Sequence, residues 1–85
     1  MSEMVAERID ILPEEKRMGI TDGYALRWDR TVIVKLFLSD NFEVIGSYTS
    51  GLQDRPDHVR VAIARANAVK RLTNYLNNRP GRAVA

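Results

Sequence analysis

The chain reads as an α+β domain: a three-stranded antiparallel meander, with a possible fourth strand, packed by one long C-terminal helix. Two changes of period predict it. From Tyr24 to Thr49 apolar residues alternate in three runs, YALRW, TVIVKLFL and FEVIGSYT, divided by DRT and SDN, which are short enough for hairpin loops. After the loop TSGLQ the pattern turns helical. Asp54, Pro56 and Asp57 supply a cap acceptor, a first-turn proline and carboxylates near the positive end of the helix dipole. That helix is expected to run to about Asn77 and to end at Asn78, Pro80 and Gly81.

Three-residue loops at 29–31 and 39–41 set Trp28 opposite Val32 and Leu38 opposite Phe42, with Asn41 suited to a left-handed conformation. In that register Tyr24, Leu26, Trp28, Val32, Val34, Leu36, Leu38, Phe42, Val44 and Tyr48 share the face that the helix covers. The other face then carries Ala25, Arg27, Ile33, Lys35, Phe37, Glu43 and Ile45. On the helix, Val59, Val61, Ala62, Ala66, Val69, Leu72, Thr73 and Leu76 form the apolar arc, and Arg60, Ala64, Asn67, Arg71, Asn74 and Asn78 lie across from it. About 22 helical residues span roughly 33 Å and a seven-residue strand about 23 Å, so the helix should overhang its sheet.

Residues 1–19 are read two ways. Ser2 to Leu12 forms either a short helix or, through RIDIL, an edge strand; Pro13 and Gly19 bracket PEEKR as a loop or turn. The whole chain, 1–85, is one domain, with 79–85 a flexible basic tail.

Composition narrows the chemistry. With no cysteine there is no disulfide, no thiol nucleophile and no cysteine-ligated zinc. His58 is the single histidine and has no second ligand or nucleophile to work with, so the expectation is a non-enzyme without metal or cofactor. No run of the sequence approaches the ~18 apolar residues of a membrane span, and the acidic start does not resemble a signal peptide, which suggests a cytoplasmic protein without membrane contact. A domain this small often covers leftover apolar surface by self-association, so a homodimer is expected.

Charge is divided along the chain. Residues 1–57 hold all eleven acids and seven Lys/Arg, a net −4, while residues 58–85 hold six Lys/Arg and no acid, a net +6. An acid-free helix is what a polyanion-binding face looks like. The nucleic-acid candidates are Arg60, Asn67, Arg71 and Asn74 along the helix with Arg79 and Arg82 beyond it, and a second group, Arg27, Lys35 and Phe37, on the free sheet face. There Phe37 would stack on a base while the two cations meet phosphate, which favours a single strand. Ile33, Phe37 and Ile45 are more apolar than a wet strand needs and are the candidate interface residues.

The element order is similar to that of a double-stranded-RNA-binding domain. Where that family carries a lysine pair at the start of its last helix this chain has DHVR, and where it carries a Gly-Pro-x-His loop this chain has DRT. Strands followed by one long helix also resemble Whirly-type single-strand binders, in topology alone. No family membership follows. The first expectation is a small nucleic-acid-binding protein, of a size and motif-poor character that suit a viral or mobile-element accessory protein in a host cytoplasm. The second is a protein-interaction module that inhibits or modulates a host protein.

Overall fold

The computed structural model describes residues 5–39, 41–51 and 55–78. Its elements are β1 (Val5–Arg8), α1 (Pro13–Arg17), β2 (Ile20–Trp28), β3 (Thr31–Leu38), β4 (Glu43–Thr49) and α2 (Asp57–Asn78). The strands form one antiparallel sheet in the order β1-β2-β3-β4, and α2 packs on β3 and β4. The α+β meander and its long C-terminal helix are as expected, and the N-terminal segment does supply the fourth strand.

That segment differs from the sequence reading in detail. The strand is VAER, three residues earlier than RIDIL, and pairs with β2 from Val5↔Arg27 to Arg8↔Tyr24. PEEKR is a helix rather than a loop. Pro13 occupies its first turn, the Glu15 carboxylate accepts the Leu12 N–H at 2.9 Å, and acids precede bases along it in the sense that the dipole favours. Helix α2 begins at Asp57, where the Pro56 carbonyl accepts the N–H groups of Val59 and Arg60. The expected cap at Asp54 and the expected end at Pro80 and Gly81 lie outside the described residues.

The second hairpin has the expected register. Leu38 N–H donates to the Phe42 carbonyl at 2.7 Å, and Asn41 adopts φ +66°. The first hairpin is tighter than predicted. Its loop is the two residues Asp29 and Arg30, with Asp29 at φ +57°, so Trp28 pairs with Thr31 instead of Val32. Because side chains alternate, this single-residue difference turns all of β2 over. Gly23, Ala25 and Arg27 face the helices, while Tyr24, Leu26 and Trp28 face the other way.

The physical reason lies in what fills the space above β2. Ile9 and Ile11 from the β1–α1 connection crowd the position where a Gly23 side chain would begin, each 3.1 Å from a Cβ built there, and Ile20 is buried beside them. Three isoleucines thus provide the volume that the sequence reading assigned to Tyr24, Leu26 and Trp28. Small β2 residues are what this arrangement requires.

A comparable substitution of small for large sets the rotation of α2. Its fully buried residues are Ala64, Ala68 and Leu72, a stripe at i, i+4 and i+8, with Val61, Val69 and Leu76 packed beside it. Ala64, predicted to face solvent, is at the seam, whereas Ala62, Ala66 and Thr73, predicted to be buried, are exposed. Gly46 decides this. A Cβ on Gly46 would stand 2.2 Å from the Ala68 nitrogen and 2.3 Å from the Ala64 oxygen, so helix and strand backbones touch there. The helix sits down on its alanines because the strand offers a gap at Gly46. The core is completed by Val32, Val34, Leu36 and Val44, and at the far end Tyr75 stacks on Phe42 with ring centroids 4.7 Å apart.

Candidate interaction surface

Both helices lie on one side of the sheet. Glu15 of α1 is buried and its Oε2 lies 2.9 Å from Arg65 Nε on α2; Arg65 also donates to the Asp10 carbonyl. Between the helices runs a groove of about 440 Å³ with Leu12, Ala62, Ala66 and Val69 in its walls. The opposite side of the sheet carries no described element. Six large apolar side chains stand on it, Tyr24, Leu26, Trp28, Ile33, Phe37 and Ile45, and none belongs to the buried cluster or packs against it.

The cross-strand pairs fix their arrangement. Leu26 lies opposite Ile33, Lys35 lies between Tyr24 and Ile45, and Phe37 lies opposite Glu43. Tyr24 and Phe37 meet edge to face, with centroids 5.9 Å apart and planes at 82°. Trp28 stands at the margin with 56% of its surface exposed. Thr31, Thr49 and Ser47 border the patch on the β3–β4 side, and Arg8 and Asp22 border it on the β1–β2 side. An apolar centre inside a polar rim is the anatomy of a docking face.

Its charges are few and balanced. Arg8 and Asp22 pair in parallel, Nε to Oδ1 at 3.0 Å and an Nη to Oδ2 at 3.1 Å, and Tyr24 Oη donates to Oδ2 at 3.3 Å. The Arg8 hydrogen bonds hold the Asp22 carboxyl below the usual range and raise the guanidinium in return. Lys35 and Glu43 remain, and among the described residues neither has an ion pair. Among the described residues, two cations against two anions leave the face without net charge.

Of the predicted nucleic-acid group on this face, Lys35 and Phe37 are present and Arg27 is not. Arg27 points to the helix side, where Nε and an Nη donate to both Asp57 oxygens at 2.8 Å and the other Nη donates to Glu7 at 2.8 Å. The reason is the two-residue turn, which inverts β2. Hydrogen bonding to Arg27 lowers the Asp57 carboxyl below the usual range, and the partners raise the Arg27 guanidinium. Sequence reasoning missed Tyr24, Leu26 and Trp28 for the same cause. Asp29, able to take a positive φ at the first position of a two-residue turn, was the signal.

The helix stripe is dispersed as well. Arg60 lies 3.5 Å from Asp57, Asn67 donates to the Ser47 carbonyl at 2.9 Å, and the Asn74 carbonyl accepts from the Asn78 side chain. Arg71 and the Asn74 side chain are exposed, with no side-chain partner among the described residues. Arg79 and Arg82 lie outside the described residues. Ile33, Phe37 and Ile45, the predicted interface residues, all stand on the uncovered face.

Among the described residues no group of three or more His, Cys, Asp or Glu is placed to hold a metal ion, and no helix is long and apolar enough to cross a membrane. Comparison with protein-family models, with curated proteins and with solved structures finds no match to this chain.

Proposed function

We propose that the protein is a small non-enzymatic interaction module that docks a folded protein surface on the uncovered side of its sheet. The observation that carries this is the six-residue apolar patch, Tyr24, Leu26, Trp28, Ile33, Phe37 and Ile45, set apart from the core. An antiparallel sheet with one wet face normally alternates apolar-in and polar-out. This one is apolar on both faces, and aromatic residues of the kind that anchor interfaces are three of the six. The balanced charge of the face favours a protein surface over a polyanion, which would call for an excess of Lys and Arg.

A photo-crosslinking residue at position 49, on the rim of the patch, tests this against one at position 71 on the helix. Protein adducts from position 49 that survive nuclease treatment, without a counterpart at 71, are the expected result. Adducts formed only from position 71, or lost with nuclease, would sink it.

One observation favours a nucleic-acid reading. The observed register brings Tyr24 and Trp28 to the same face as Phe37, with Lys35 between Tyr24 and Ile45, so the aromatic platform is larger than the sequence suggested. A mobility shift with single-stranded DNA or RNA at low salt that vanishes on Trp28→Ala and Phe37→Ala would establish that reading instead.

A further inference from the structure

The patch has a feature that selects its occupant. Once Arg8 and Asp22 have satisfied each other, the uncovered face is left, among the described residues, with one unpaired cation and one unpaired anion, Lys35 near its centre and Glu43 on its rim. Covering Lys35 with an apolar surface alone would strand a charge, which is strongly unfavourable. The occupant must therefore bring a carboxylate to Lys35, and it must also bring a cation to Glu43 if that is covered too. A second copy of the same face carries both.

We propose that the occupant is a second copy of this chain, packed sheet against sheet so that Lys35 of each copy pairs with Glu43 of the other. The proposal rests on the reading of this face as a protein-docking surface. The two residues are diagonal neighbours on β3 and β4, since Lys35 pairs with Ile45 and Phe37 with Glu43. A two-fold axis lying between the sheets and running along the β3–β4 pair lays β3 of each copy over β4 of the other. Lys35 then lies over Ile45 of the second copy, with Glu43 of that copy two residues further along. With sheets about 10 Å apart and two residues spanning about 6.8 Å, the Cα atoms are about 12 Å apart, within the joint reach of extended Lys and Glu side chains.

The contact is isologous, so the bridge forms twice. Ile33, Phe37 and Ile45 surround the axis and supply the apolar contact, and the Lys35 stem packs along Ile45 while its ammonium reaches the carboxylate. A partner of different sequence would have to match a cation and an anion at this spacing; an identical face does so by symmetry.

Charge reversal with mixing tests this on the purified full chain. In sedimentation velocity the unmodified chain is expected to be a dimer. Lys35→Glu and Glu43→Lys, each alone, set like charges together at both bridges, and each should weaken association on the order of 100-fold or more. Mixed one to one, the two variants should form a heterodimer of near-original affinity. At one bridge the carboxylate introduced in the first variant meets the ammonium introduced in the second, and at the other bridge the unchanged Lys35 and Glu43 meet. An intramolecular effect of either change would not be rescued by mixing. Circular dichroism of each variant alone checks that it remains folded.

A chain that is monomeric at every accessible concentration would overturn the dimer while leaving the docking face open to a different partner, which the crosslinks from position 49 would then report. A dimer indifferent to both reversals would place self-association on another surface and overturn the proposal outright. Dimerisation that appears only when single-stranded nucleic acid is added would overturn it in favour of the platform reading.

Discussion

The two faces of the sheet are both apolar, and they differ in what meets them. On the helix side small residues set the closest approach, Gly23, Ala25 and Gly46 on the strands and Ala64 and Ala68 on α2, while Ile20, Val32, Val34, Leu36 and Leu72 fill the remaining volume. On the other side the six apolar residues are large, three of them aromatic, and nothing described covers them. Bulk is thus present on both faces, but only the inner one has small residues at the points where helix and strand backbones meet. The comparison teaches that the inner face is optimised for close backbone approach and the outer face for contact with something else. Substitutions should therefore be felt very unequally on the two sides.

The sharpest break is at Gly46. A valine there would drive its side chain into the Ala64 carbonyl and the Ala68 amide, and neither can move without lifting α2 from the sheet. Gly46→Val should cost at least ~3 kcal/mol, a large part of what a domain of this size has. Urea denaturation followed by circular dichroism is expected to show a chain unfolded or barely folded in water. A cooperative transition near the original midpoint would mean that α2 does not rest on β4 as described.

The next contrast pairs one residue from each face. Leu72 is fully buried on the sheet-facing side of α2, and Leu72→Ala should destabilise by about 2–5 kcal/mol through lost burial and the cavity left behind. Ile33→Ala on the outer face, measured on the dissociated chain, should cost less than about 1 kcal/mol, because Ile33 lies outside the buried cluster and leaves no cavity in it. At concentrations where the dimer forms, the same Ile33 change should weaken association. Equal effects of Leu72 and Ile33 on the dissociated chain would erase the distinction between the faces.

How much of this was legible in the sequence follows from the same contrast. Period-two alternation disclosed three strands and helical periodicity disclosed α2, because each depends on local pattern. The second hairpin was readable because Asn41 marks its left-handed position. The first was not. DRT allows either two or three loop residues, and choosing between them requires knowing that Ile9, Ile11 and Ile20 will fill the layer over β2, a tertiary fact. The rotation of α2 was hidden for a similar reason: hydrophobicity ranks Val and Leu above Ala, but backbone contact at Gly46 ranks Ala first. Of the candidate site, Ile33, Lys35, Phe37 and Ile45 were found on the correct face because β3 and β4 were in register, and the β2 residues were lost with the turn.

The smallest expected effect tests whether each face holds its own carboxylate. Asp57 is held below the ordinary carboxylate range by Arg27 on the helix side, and Asp22 by Arg8 on the outer side. A carboxyl whose folded pKa is depressed contributes stability above its unfolded pKa of about 3.9, and that contribution is lost as pH falls through the lower folded value. Asp57 is half exposed, so its share is screened and should stay below about 1 kcal/mol. Asp57→Asn should therefore lower stability at neutral pH by less than about 1 kcal/mol and flatten the acid limb below about pH 4, the difference from the unmodified chain vanishing at the acid end. Carboxyl titration by NMR separates the two sites. Arg8→Ala is expected to return Asp22 toward its ordinary value without moving Asp57, and Arg27→Ala to do the reverse. If either arginine shifted both carboxylates, the two faces would be electrostatically coupled through the sheet, and Lys35 and Glu43 could not be treated as the only charges that an outer partner has to answer.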